Sequence, residues 1–268
     1  MSLFAPVLAI AWREVLRFAR QKSRVVGGIA QPLLIWGFLG AGFSASFRPS
    51  GHSGGYATYV FPGVLMLLLL FSSVFSAITL IEDRDHGFLQ GVLVAPLPRS
   101  AIVLGKVGGG AFLALLQAAI ILPIAPLTGA PFTATGLLLA LPVIALAAVG
   151  FAATGFAVAW SMRSTSGFHA IMMVVLMPAW MLSGALFPAQ GVPTWLAWTM
   201  TVNPLTHANT LLRAALNQTA LPPWWQIAIF LGWIVLALAA SLVRVMRVDH
   251  GAPMTEEVTR GVVAPEAR

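Results

Sequence analysis

Charge is the scarcest property of this chain. Of its 268 residues 15 are Lys or Arg and 8 are Asp or Glu, so 9% are charged, against roughly 25% in ordinary soluble domains. A soluble fold of this length needs a charged surface that so few ionic side chains cannot supply, which excludes the water-soluble classes. Cysteine is absent, and with it disulfides, thiolate ligands and Cys nucleophiles. No cleaved signal peptide is expected, because Arg13, Arg17, Arg20, Lys22 and Arg24 follow a mixed segment instead of opening a short apolar core.

Catalytic signatures are equally thin. The one Gly-Lys pair, Gly105-Lys106, lacks the upstream glycine spacing and the following Ser or Thr of a phosphate-cradling loop, so this chain alone is not expected to bind ATP that way. His52, His86, His169, His207 and His250 share no helical i, i+3 or i+4 spacing, which argues against a metal site. No serine has a G-x-S-x-G setting, and no acid lies where an intramembrane histidine could be oriented. The expected spans also carry no Asp or Glu, whereas proton- and cation-coupled carriers usually keep one. An intramembrane enzyme is the minor reading.

What the chain has is apolar length. Apolar residues make up 59% of it, and no charge occurs in 25–47, 49–81, 107–162, 164–212 or 214–243. About 20 apolar residues cross a bilayer as a helix, so each window holds at least one span and 107–162 holds two. The spacing predicts an all-α polytopic membrane protein with six transmembrane helices at about 25–47, 56–81, 101–127, 136–160, 167–187 and 224–243. Six spans put both termini on one side and leave only Arg48 and Arg213 on the other, which the positive-inside rule makes the outside. The net charge of +7 is read through this topology, with the bilayer and not nucleic acid as partner.

Three segments stand apart from the spans. Residues 5–24 put Leu8, Ala11, Trp12, Val15, Phe18 and Ala19 on one helical face and Arg13, Arg17, Arg20 and Arg24 on another. This is the pattern of an interfacial amphipathic helix, the alternative being a charged flank that only fixes orientation. After the second span comes the densest charge cluster, Glu82, Asp83, Arg84 and Asp85, and then Phe88, Leu89, Val92 and Leu93 at helical spacing before Pro96 and Pro98. A short helix of this kind is a docking element, or else lies on lipid. The stretch 188–220 is interrupted by Asn203-Pro204 and reads as two short helices, at about 193–217, dipping back from the outer surface. A polar cytoplasmic tail follows from 245, and the loops RPSGHSGG at 48–55 and TGAPFTAT at 128–135 are expected turns on the outer side.

The order of these features resembles a known family. A basic N-terminal helix, Tyr59, Phe61, Pro62 and Gly63 opening the second span, EDRDHGFLQGVLVAPLPRSAIVLGK at 82–106 and VNPLTHANTLLRAAL at 202–216 are similar to the type-2 permease subunits of ABC exporters, over about residues 5–245. The resemblance implies a half-transporter in a prokaryotic inner membrane. Two six-span protomers, most simply identical, would form the path, with first and fifth spans facing across the dimer. Two separate ATPase subunits holding ATP and Mg would drive it, and this chain would hold no cofactor. By the same resemblance 84–94 is the coupling helix, with Glu82, Asp83, Arg84 and Asp85 in polar contact with the ATPase or holding the first turn. Gly87 would sit at its start, and Phe88, Leu89, Val92 and Leu93 in the ATPase groove. Arg13, Arg17, Arg20 and Arg24 would line a second contact, and Asn203, Pro204 and Arg213 the outer gate. Relatives often show Gly-Thr-Leu-Glu where this chain has Gly87-Phe88-Leu89-Gln90. An ATPase-linked scaffold or sensor that passes no cargo is the alternative.

Overall fold

The computed structural model describes residues 3–43, 55–128 and 132–247. Residues 48–54 of the first expected outer loop and 129–131 of the second lie outside these residues, as do the end of the first expected span and the tail beyond 247. Eleven α-helices are present among them, with no strand.

An amphipathic helix α1 (Phe4–Arg20) leads into α2 (Lys22–Phe43) and the long α3 (Tyr56–Asp85); α4 (Phe88–Val94) is a short connector to α5 (Arg99–Ile121). Helix α6 (Ala134–Trp160) returns, and the next apolar segment is divided into α7 (Thr165–Ile171) and α8 (Met177–Trp180), each followed by a π turn. Two shorter helices, α9 (Thr194–Val202) and α10 (Pro204–Asn217), precede the last, α11 (Trp224–Met246). Six segments are long and apolar enough to cross a membrane: Lys22–Phe43, Tyr56–Asp85, Arg99–Leu127, Ala134–Trp160, Thr165–Ala185 and Trp224–Met246. They correspond in order to the six expected spans. The second is longer than expected, because Glu82–Asp85 continue α3 as helix, and the first starts earlier, at Lys22.

Helix α3 is the hub. Phe61 and the run Leu65–Leu70 are at most 1% exposed, enclosed by α2, α5, α6 and α10. Without a hydrophobic drive between helices in lipid, close packing depends on small residues at the crossings. Gly63 shows the need: a Cβ there would lie 2.5 Å from Ala185 Cβ and 2.7 Å from its Cα. Helix α2, the Thr165–Ala185 segment and α11 are the least covered of the six. Their apolar outer faces are what lipid or another subunit would cover.

Proline placement explains the irregular ends. Pro123 and Pro126 lack an N–H, and the last turns of the third apolar segment become a 3₁₀ helix, Leu122–Thr128. In the fifth, π turns occupy Met172–Leu176 and Met181–Ala185 on either side of Pro178, and Gly184 turns left-handed at φ 72°. Glycine alone takes that conformation without steric cost.

Candidate functional site

One end of the bundle gathers nearly all the charge of the described residues. Helix α1 lies against α5 in a groove made by Gly105 and Gly109, one turn apart: a Cβ on Gly105 would meet Ile10 Cβ at 2.7 Å, and one on Gly109 would meet the Ala11 oxygen at 3.0 Å. This close approach brings Glu14 and Lys106 together although both are buried, at 2% and 5% exposure. Lys106 Nζ donates to Glu14 Oε1 at 2.7 Å and also to Asp83 Oδ2. The Thr79 hydroxyl lies 2.7 Å from Glu14 Oε2.

The network then spreads to the surface. Arg13 donates to both Asp83 oxygens, at 3.0 and 2.9 Å, and to Glu14 at 3.2 Å. Arg17 bridges Asp83 and Glu82, at 2.6 Å each, and Arg24 reaches Glu82 at 2.5 Å. Four cations thus surround three carboxylates, two of which, Glu14 and Asp83, are buried. Such mutual pairing with charge-assisted hydrogen bonds is what makes buried charge tolerable. Hydrogen bonding to Asp83 raises the Arg13 guanidinium above its ordinary value, against the opposing effect of partial burial. Arg13 therefore stays cationic throughout the physiological range.

Helix α4 is attached to this cluster. Gly87 turns left-handed at φ 74° and redirects the chain from α3 into α4. The Arg13 guanidinium stacks on Phe88, 3.5 Å from the ring centroid, a cation–π contact. Leu89 is 3% exposed, and Val92 and Leu93 pack against the core. Leu89 thus seats α4 on its own bundle, while Phe88, Val92 and Leu93 are half-buried. Asp85, His86, Gly87, Gln90, Gly91 and Val94 face outward instead.

Arg84 also points inward. It donates to the carbonyls of Trp160 and Met162 at 2.7 and 2.6 Å, capping the end of α6, so its hydrogen bonds serve the bundle and not an outside surface. Arg20 is exposed and forms none of these pairs. Glu14, Thr79 and Lys106 complete the network and are not among the site residues expected from sequence. A signal for Lys106 was present: a lysine inside an apolar span requires a partner.

The opposite end holds the second candidate region. The two π turns free backbone carbonyls, which cannot stay unpaired at membrane depth. Side chains of α3, α10 and the Asn203 corner answer them. Tyr56 donates to Leu186 O at 2.8 Å, Tyr59 to Gly184 O at 3.0 Å, and Asn203 Nδ2 to Ala179 O at 2.6 Å. Asn203 also caps α10, its Oδ1 accepting from Leu205 N at 3.0 Å, with Pro204 in the first helical position. Arg213 donates to Tyr59 O at 2.9 Å and Gly184 O at 3.3 Å. Asn203, Pro204 and Arg213 are thus brought against the broken fifth segment.

Comparison with known proteins agrees with this architecture. Residues 6–217 match the ABC-2 type transporter family. The chain is 30% identical over 206 residues to the ycf38 transport permease of Cyanophora paradoxa, covering 75% of this chain and 70% of that one. It is 28% identical over 246 residues to nodulation protein J of Neorhizobium galegae, covering 89% of each. It is 23% identical over 256 residues to the daunorubicin resistance ABC transporter permease protein DrrB1 of Streptomyces coeruleorubidus, covering 93% of this chain and 84% of that one. With six apolar helices and a match over most of its length, the chain belongs to the ABC-2 type transporter family and is a multi-pass membrane permease subunit.

Proposed function

We propose that this chain is the permease half of an ATP-driven exporter in a prokaryotic inner membrane. It works as a dimer of permease protomers with two separate ATPase subunits, which hold ATP and Mg. The observation that carries the reading is the fusion of α1, the end of α3 and α5 by the Glu14–Asp83–Lys106 network, to which the Arg13–Phe88 contact joins α4. A displacement of α4 by a closing ATPase dimer would be passed to α3, the hub of the bundle, instead of being absorbed by a loose loop. Coupling of this kind requires an element that differs between two states and binds the partner differently in each.

The asymmetry of Lys and Arg supports placing the network end in the cytoplasm. The thinly covered faces of α2 and the fifth segment support a protomer interface there. The outward residues of α4, with the basic groove on α1 lined by Arg13, Arg17 and Arg20, form the surface offered to the ATPase.

The test is purification of the tagged chain from native membranes in mild detergent, with mass spectrometry of what stays bound. Recovery of an ATPase with Walker motifs at about one per permease is the expected result. The variants Gln90→Arg and Val94→Asp, on the outward face, should then lower ATPase retention at unchanged permease yield. A clean permease under several gentle conditions would overturn the coupling reading.

A further inference from the structure

The pocket at the end opposite the ion network has a chemistry of its own. It holds about 210 Å³ between α3, the second π turn and α10, and its lining includes Tyr59, Ser183, Gly184, Asn209, Thr210 and Arg213. Arg213 brings a full positive charge into it. The partners of that charge are the Tyr59 and Gly184 carbonyls and the Tyr59 ring, whose centroid is 4.1 Å from the guanidinium. All three are neutral.

Among the described residues no carboxylate is placed to balance it. Asp and Glu occur only at positions 14, 82, 83, 85, 249, 256, 257 and 266. The first four lie at the network end. The last four lie outside the described residues. The contrast within one molecule is plain: four cations share three acids at one end, and Arg213 has none at the other. A largely desolvated cation without an anion is costly, and at membrane depth such a group marks a functional site.

A second observation comes from Asn209, one turn before Arg213 and 2% exposed. Its Nδ2 donates to Ser183 O at 3.3 Å, while its Oδ1 is buried without a partner. An unmet buried acceptor needs a donor. A water molecule would satisfy Asn209 but leave the charge of Arg213 unanswered. A ligand that meets both carries an oxyanion and, a few bonds away, a hydroxyl. The pocket is small by the standard of drug-sized sites, which suits a headgroup better than a bulky molecule.

We propose that this pocket binds a hydroxylated oxyanion of the glycerol-phosphate type, its phosphate oxygens on Arg213 and its hydroxyl donating to Asn209 Oδ1. That chemistry comes either as the headgroup of an anionic lipid or as a free phosphorylated polyol. The site does not depend on the ATPase coupling proposed above and is tested without it.

The full-length protein in uncharged detergent is titrated with short-chain phosphatidylglycerol, sn-glycerol 3-phosphate and short-chain phosphatidylcholine. Binding is read by native mass spectrometry, with thermal unfolding followed in parallel. The wild type should bind phosphatidylglycerol at least about tenfold more tightly than phosphatidylcholine, and Arg213→Gln should abolish the difference, as loss of a charge-assisted hydrogen bond implies. Asn209→Asp keeps the side chain's size and places a carboxylate at i, i+4 to Arg213. It should also cost about tenfold or more, and it decides the matter if Arg213→Gln does not fold. Arg213-dependent binding of sn-glycerol 3-phosphate as well would identify the free polyol phosphate as a competent source, and binding of the lipid alone would identify the membrane. Equal binding of phosphatidylcholine, affinities indifferent to both substitutions, or no binding of either anionic probe would overturn the proposal.

Discussion

Arg13 grips both carboxylate oxygens of Asp83, at 3.0 and 2.9 Å, while its guanidinium lies 3.5 Å from the centre of the Phe88 ring. One side chain thereby joins three helices: α1 that carries it, the end of α3 and the start of α4. The joint is held from beneath by Lys106, so Asp83 receives three cations on its two oxygens.

Removing the Asp83 charge strands those cations. Asp83→Asn should lower stability by about 3–5 kcal/mol, the range for breaking one partner out of a buried ion pair. Glu82→Gln, at a position with 21% side-chain exposure, should cost about 1 kcal/mol or less. Thermal unfolding of the purified variants in one detergent checks the order. Equal midpoints for the two would contradict the network's internal role.

Glu14 and Lys106 should be coupled. Lys106→Met alone leaves a buried carboxylate short of a donor, and Glu14→Gln alone leaves a buried ammonium leaning on Asp83. The double variant should recover part of the loss, with an interaction energy of about 1–3 kcal/mol in a double-mutant cycle. Strict additivity would show that the pair does not act together.

Neighbouring glycines of α5 should respond in opposite ways. A Cβ on Gly105 would meet Ile10 Cβ at 2.7 Å, whereas Gly108 has nothing within 4 Å. Gly105→Val should lift α1 off α5 at about 1–3 kcal/mol, the ordinary cost of overpacking. Gly108→Ala should be neutral or stabilising by up to about 1 kcal/mol, through helix propensity. Limited proteolysis near α1 separates the two, with faster cleavage expected only for Gly105→Val.

Asn203 does two jobs that substitution can split. Asn203→Asp keeps the acceptor that caps α10 but loses the donor to Ala179 O, and Asn203→Ala loses both. Losses of about 1 and 2 kcal/mol are expected, from one and two hydrogen bonds, read as midpoints of thermal unfolding. If alanine costs no more than aspartate, the cap contributes nothing.

Much of the architecture was legible because it is local. The charge-free windows gave the six spans in order, since hydrocarbon thickness sets a length that any sequence must meet. Asn203-Pro204 gave the break between α9 and α10, because a proline sits well only in the first turn of a helix. Residues 88–94 gave the connector helix, though not its orientation: periodicity shows that Leu89, Val92 and Leu93 share a face, and only the neighbouring core decides which way it turns. Of the network residues, Arg13, Arg17 and Arg24 were visible as a basic face and Glu82 and Asp83 as an acidic exit. Nothing local joined the two.

The sequence by itself determined what kind of molecule this is: a chain with too few charges for water, long apolar stretches at membrane length, and cations heaped toward one side. The tertiary structure decided which charges meet. Lys106 finds Glu14 across 92 residues and Asp83 across 23, because α1 settles on the glycine face of α5 beside the end of α3. It also decided that Arg213 meets no acid, because the turns that bring it to the broken fifth segment leave every carboxylate of the described residues at the other end. Length and composition act residue by residue along the chain, whereas ion pairing acts over a few ångströms in space, and only packing sets those distances.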